Sequence, residues 1–512
     1  MNKILKTILL LLTAAVLTAG ASACGRNKNA GGGGQAPRAL KVVIAKAAAE
    51  EEFWKSAKDE FQNKHPGVTV TIERVTSPEG LIEDAVLAGQ GTPDVLLLPV
   101  GRSARLTERY IADRALHGLT GLLDRNVYGE SVTLKEKLLP GFLDTLASNP
   151  YQGTHLPDRT AYMLPYGVSP RGLLYNGAYV DADGAGGKLR LPSDFGAFLN
   201  LRQNVGEKGE AGTLNAAATG PADLIYLFGY AAIADAESFI TATVATYAGQ
   251  SAAEKLLSYE PVWTDPDQGS TKIHSAFKEL GRINKKFTGD ASAQEDVGKF
   301  VYNTDGREND GALKNIEAFL NGRIIFMPGG IESLIGALDE KPGDNDANKI
   351  KKAELKQKLA AFDLGFTPYF KGGADGQRYT AVESRQIYIP KASQNKALAE
   401  DFLLWLFSDS VAAKYSLNGF AVTPTQNALD SLAVSAETDK HRKTVFASAF
   451  SGGARPLHYK FAKLALAVTE GNWSTAYLGK FVPTLKGENS SNWIEALEIN
   501  GARCRADILT QN

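Results

Sequence analysis

"FWKSAKDEFQNKHPGVTVTIERV", residues 53–75, carries two periodicities back to back. Phe53, Ala57 and Phe61 recur every four residues, the spacing of one helix face. Glu50, Glu51 and Glu52 precede them, where the positive end of a helix favours acidic side chains. Lys64 and His65 suit its negative end, and Pro66-Gly67 stops it. Val68, Val70 and Ile72 then alternate with Thr69, Thr71 and Glu73, which is the period of a strand. Outward on the N-terminal side, Leu40 to Ile44 is a short apolar run that reads as a buried strand. Outward on the other side, Ser77 caps a second helix with Pro78 in its first turn, and Gly89 to Pro93 breaks it. Val95 to Leu98 is apolar without alternation, as in a central strand covered on both faces. Strands joined by helices pair in parallel through right-handed crossovers. This region is α/β.

The rest of the chain bounds the function. Its 512 residues imply at least two domains. Lys plus Arg (56) nearly balances Asp plus Glu (57), so no field of one sign draws the protein to nucleic acid. The six histidines, His65, His117, His155, His274, His441 and His458, include no His-Glu-x-x-His spacing. No metal and no cofactor is expected.

Further along, "LPYGVSPRGLLYN" (164–176) is strand-like but interrupted by Pro165, Gly167 and Pro170. Pro192-Ser193-Asp194 restarts helices. Ala312 to Gly322 reads as a helix leading into a short strand, Ile324 to Met327, that ends at Pro328-Gly329-Gly330. Glu340 to Lys358 is charged and reads as a solvated insertion. Tyr379 to Ile389 is strand-like. Leu398, Phe402, Trp405 and Leu406 form a helix stripe that makes Trp405 core rather than a ligand platform.

The N-terminus has its own pattern. Lys3 and Lys6, a brief apolar run and small residues describe a secretory signal peptide over 1–23. Ala21-Ser22-Ala23-Cys24 resembles a bacterial lipobox, with Ala21 where Leu is usual, and implies lipidation of Cys24. Residues 24–38 then form a flexible tether, whose reach from Cys24 to Leu40 is roughly 20–25 Å. Ordinary cleavage beside Ala23, or a Cys24–Cys504 bridge, are the other readings of these residues. After Cys24 no apolar run reaches transmembrane length.

Taken in order, "FWKSAKDEFQNKHPGVTVTIERV", "GTPDVLLLP", "LPYGVSPRGLLYN", "IIFMPGGIES", "IYIPKASQNKALAEDFLLWL", "GFAVTPTQNAL" and "ARPLHYKFAKLAL" resemble bacterial extracellular solute-binding proteins of family 1, the maltose-binding-like group. The resemblance implies an α/β, two-lobed periplasmic-binding-protein-like fold with a hinge and an interlobe ligand cleft. It places residues 39–165 plus 378–420 in the first lobe and 167–375 plus 421–512 in the second. Pro165-Tyr166-Gly167 would be one hinge. It further implies a monomer, membrane-anchored outside the cytoplasm, that passes a small polar solute, a sugar first, to the permease of an ABC importer.

In open α/β sheets ligands sit in loops at the carboxyl ends of strands. That rule and the resemblance together nominate Arg102 after the third strand; Tyr166, Ser169 and Arg171 on the hinge strand; and Gly329, Gly330 and Glu332 after the strand at 324. Glu383 and Ser384 would face them, with Asp223 and Tyr459 from the second lobe. Sugar-binding relatives often carry tryptophan near the Gly-Gly turn and in a Gly-Gly-Trp before the Ile-Pro-Lys. This chain has Ile331-Glu332 and Glu383-Ser384-Arg385 there. Two carboxylates suit a hydroxyl-rich monosaccharide or a cationic solute. Two other function classes are a secreted glycoside hydrolase, which needs two carboxylates ~5–9.5 Å apart, and a surface lipoprotein acting as sensor or adhesin.

Overall fold

The computed structural model describes residues 38–45, 51–75, 91–99, 114–143, 160–201, 214, 225–229, 233–257, 272, 275–276, 301–302, 309–372, 377–419, 421–436 and 438–458. The expected signal peptide, Cys24 and its tether, and the helix at Ser77 lie outside them.

The opening stretch folds as read. Strand β1 (Arg38–Ala45) leads to helix α1 (Glu51–Lys64), then to β2 (Val68–Val75) and β3 (Val95–Pro99). Phe53, Ala57 and Phe61 are buried on α1, with Trp54 beside them. β1 and β3 pair in parallel, Val43 opposite Leu96. Buried Asp94 fixes the start of β3. It accepts the Lys41 amide at 2.8 Å and the Ser393 hydroxyl at 2.6 Å.

The remaining strands are β4 (Leu164–Asn176), the short pair β5 (Val180–Asp181) and β6 (Leu189–Arg190), β7 (Tyr226–Gly229), β8 (Val301–Tyr302), β9 (Ile324–Gly329), β10 (Leu364–Thr367), β11 (Tyr379–Tyr388) and β12 (Arg455–His458). The main sheet runs β2-β1-β3-β11-β4-β9-β7-β8, with β10 on β4 and β12 on β11. It is mixed, because β11 lies antiparallel to both β3 and β4.

β4 runs unbroken through the three residues expected to interrupt it, and its partners explain why. One edge pairs with β11 from Leu164 to Arg171 and with β10 from Leu173 to Asn176. The other carries a single bridge, Val168 to Val422, before β9 pairs from Gly172 to Tyr175. Val168 sends its amide to Val422. By alternation, the amide that Pro170 lacks falls on that same edge, in the gap before β9 begins, so no ladder bond is lost. Arg385 faces Gly167 while Gln386 faces Pro165, which leaves Tyr166 as a bulge.

The partner change along β4 separates the cores. Trp54, Tyr166, Phe402, Phe407 and Tyr415 pack on one face of the β1–β3 part, and Val43, Leu96, Leu98 and Tyr388 on the other. Phe198, Phe228, Phe239 and Phe370 cover one side of the β7–β9 part, and Phe319, Leu334 and Phe366 the other. Phe142, Val168, Val382, Val422 and Phe446 form a smaller cluster where the two parts meet.

Three further helices frame that meeting place. These are α2 (Ile331–Leu338), α4 (Asp409–Asn418) and α5 (Lys440–Ala449); α3 (Asp346–Ala361) lies between α2 and α4 in the chain. The expected solvated insertion is in fact α3. Asn345 caps it, accepting from the Asn348 amide, while Leu355 and Leu359 are buried with the stem of Lys352. Lysines with long aliphatic stems hid the apolar stripe. Trp405 is buried as core.

Candidate functional site

The site grows from the register of β4 against β11. Glu383 stands opposite Ser169, Arg385 opposite Gly167, and Ala381 opposite Arg171. Paired residues and those two apart share a face, so Ser169, Arg171, Glu383 and Arg385 lie on one face of this ribbon. Arg171 Nη2 donates to Glu383 Oε2 at 2.9 Å. The guanidinium is nearly buried (10%) and the carboxylate less so (27%).

Glu332 enters from the side. β9 ends at Gly329, Gly330 makes the turn, and Glu332 stands in the first turn of α2. The turn needs glycine at 330, since a Cβ there would lie 2.4 Å from the Pro170 carbonyl oxygen. Glu332 keeps part of its surface, but its Oε1 has none and no hydrogen-bond partner. Burial pushes its carboxyl up to about 8. The Ser169 hydroxyl, which hydrogen-bonds it, and the charges of Arg171 and Arg442 pull the other way, while the Glu383 charge adds to the rise.

Two helices close the surroundings. Tyr415 on α4 accepts from Arg385 Nη1 at 2.9 Å. It comes so near β4 that a Cβ on Gly167 would lie 2.4 Å from its hydroxyl. Arg442 on α5 is buried, donates from Nη2 to the Ser416 carbonyl at 2.8 Å, and leaves its Nε enclosed without a partner. Burial lowers its pKa, and Glu332 and Asp439 oppose that shift.

The structure therefore brings together Ser169, Arg171, Glu332 and Glu383 of the nominated residues. It places Tyr166 elsewhere. Its ring is fully buried against Trp54, Phe407 and Tyr415, at centroid distances of 6.0, 5.4 and 4.6 Å. Its hydroxyl is enclosed without a partner. Ser384 points away from Glu383, to the face of Val168 and Val382, with its Oγ also enclosed and unpartnered. Gly330 spends its amide on Ser333 Oγ at 3.2 Å and its carbonyl on the Ser333 hydroxyl at 2.8 Å. Gly329 contributes the last buried position of β9. Arg102, Asp223 and Tyr459 lie outside the described residues. Sequence reasoning missed Tyr415 and Arg442. Both sit on helices remote in the chain, and no local spacing marks them.

This constellation has mixed charge and lies where two cored halves of a sheet meet, an arrangement suited to holding a polar solute. The family model described as bacterial extracellular solute-binding protein matches residues 46–413. The chain belongs to this family. No curated protein matches it. Solved structures of the family share its two-lobed fold. The bacterial solute receptor AcbH, described as exclusively preferring β-D-galactopyranose, has a TM-score of 0.63 at 12% identity, over 92% of this chain and 99% of its own. A family 1 extracellular solute-binding protein from Bifidobacterium longum subsp. infantis gives 0.60 at 14% identity, over 92% and 100%. The cyclic α-maltosyl-1,6-maltose binding protein of Arthrobacter globiformis gives 0.56 at 13%, over 93% and 100%. At such identities the likeness is one of fold, and the family is one of binding proteins.

Proposed function

We propose that this solute-binding protein captures a sugar at the Ser169–Arg171–Glu332–Glu383 constellation and releases it, chemically unaltered, to an ABC importer. The observation that carries this reading is Glu332 Oε1, a carboxyl oxygen shut away from water with nothing in the protein to bond. A buried polar atom left unsatisfied costs ~1–3 kcal/mol, and a hydroxyl-bearing guest would supply what it lacks. Arg171 and Glu383 neutralise one another, which favours an uncharged guest. The saccharides named for AcbH and for the Arthrobacter protein favour a sugar.

In this reading residues 39–165 plus 378–420 and residues 167–375 plus 421–512 are lobes that swing about the bulged strand β4. Tyr166 and Ser384 support the site from behind. Arg102, Asp223 and Tyr459 are further ligand-binding residues. The chain works as a monomer, held at the outer face of a membrane by lipidated Cys24.

A thermal-shift screen over monosaccharides, oligosaccharides, polyols and polyamines tests the proposal, since a guest at a hundred times its Kd stabilises by about 2.7 kcal/mol. At least one sugar raises the midpoint and is recovered intact. A response to none of the saccharides, or turnover of a glycoside, contradicts it.

A further inference from the structure

We infer that Glu332 meets its guest as a neutral carboxylic acid, donating an O–H to an oxygen of an uncharged polyhydroxyl solute and so rejecting cations. This rests on the sugar-capture reading above and names the class of guest that site takes.

The neighbours on every packed element lead there. β4 contributes Ser169 and Arg171, β11 contributes Glu383 and Arg385, α4 contributes Tyr415, and α5 contributes Arg442. Arg171 donates to Glu383, Arg385 to the Tyr415 hydroxyl and Arg442 to the Ser416 carbonyl. An ionised carboxylate offers about four acceptor sites over its two oxygens. Here one oxygen has no donor at all, and a second carboxylate, that of Glu383, stands in the same cluster. The charged form is starved and repelled. The protonated form needs only an acceptor, and a sugar oxygen provides one while its own hydroxyl donates in return. The direction of the titration agrees, with burial as the main cause.

A cationic solute would require the opposite. It would drive a proton off Glu332 on binding, so its affinity would climb as the pH rises. A neutral sugar binds the protonated site and loses its donor as Glu332 ionises.

Two measurements on the full chain test this. In the first, 13C NMR follows the glutamate carboxyls without added solute, the Glu332 signal being assigned by its loss in Glu332→Gln or, if that variant does not fold, Glu332→Asp. The expected midpoint lies above neutrality; titration with ordinary glutamates at about 4–5 overturns the inference. In the second, calorimetry measures D-galactose, maltose and spermidine at about pH 6 and about pH 9.5. The sugar that binds should weaken at least about tenfold at the higher pH, and Glu332→Gln should bind it more weakly but with no change across that range. Spermidine binding that tightens with pH, or a sugar whose alkaline loss survives Glu332→Gln, overturns the inference. If none of the three binds, the thermal-shift screen above decides the sugar reading, and the NMR midpoint still decides the state of Glu332 by itself.

Discussion

Asp94 and Glu332 are both carboxylates drawn in from water, and the protein treats them in opposite ways. Asp94 lies in the β1–β3 part and is saturated: a backbone amide, a serine hydroxyl and, more distantly, the Asn395 amide converge on it. Glu332 lies where the two parts meet and keeps one oxygen enclosed with nothing bonded to it. A saturated carboxylate fastens secondary structure together. A starved one is an unmet hydrogen-bonding demand in the fold, which a guest admitted there would meet.

Substitutions can pull this contrast apart. The largest effect is expected from Asp94→Ala, which strands the Lys41 amide and the Ser393 hydroxyl. At about 1.5–3 kcal/mol for each of these two bonds to a charged group, urea unfolding should show a loss of about 3–6 kcal/mol. Sugar affinity of the folded protein should stay within twofold or so of the parent. A large affinity loss at full stability would erase the distinction.

Next comes the pH dependence of folding. The carboxyl of Glu332 titrates at about 8 in the fold and near its ordinary value once unfolded. Between those values the unfolded chain has released a proton that the native protein still holds, so stability falls as the pH rises. Its contribution is complete below the ordinary value, declines by on the order of 3 kcal/mol by neutrality, and levels off above about 8. Unfolding curves of Glu332→Gln should lack that decline; parallel curves would place the carboxyl in water.

Arg171→Met removes the partner of a Glu383 that keeps some exposure. Solvent screening limits the cost to ~1–2 kcal/mol of stability, while sugar affinity drops at least about tenfold. Unchanged affinity would move the guest off this face of the ribbon. The smallest effect belongs to Tyr166→Phe. It deletes a buried hydroxyl that bonds nothing, so stability should hold or rise by up to ~1 kcal/mol. A loss would reveal a partner for that hydroxyl and bring Tyr166 back toward the site.

The elements of the first part were legible because each carries its own period: Phe53, Ala57 and Phe61 every four residues, Val68 and Val70 every two. The α3 helix was not, since lysine stems cover apolar surface while scoring as charge. Of the site, glycines and carboxylates near strand ends could be nominated. Which of them share a face could not. Arg171 and Glu383 lie 212 positions apart and meet only through the register of β4 on β11. Adjacent Glu383 and Ser384 look equivalent in the sequence until that register turns them to opposite faces. Tyr166 looked like a hinge residue beside proline and glycine. The bulge there carries its ring into the aromatic core.

The most direct test of sugar capture at the junction is a crystal structure of the protein grown with whichever saccharide stabilises it most. The account predicts sugar density with one oxygen on Glu332 Oε1 and others within reach of Ser169, Arg171 and Glu383. A sugar bound away from these residues, with Glu332 Oε1 still unpartnered, would contradict it.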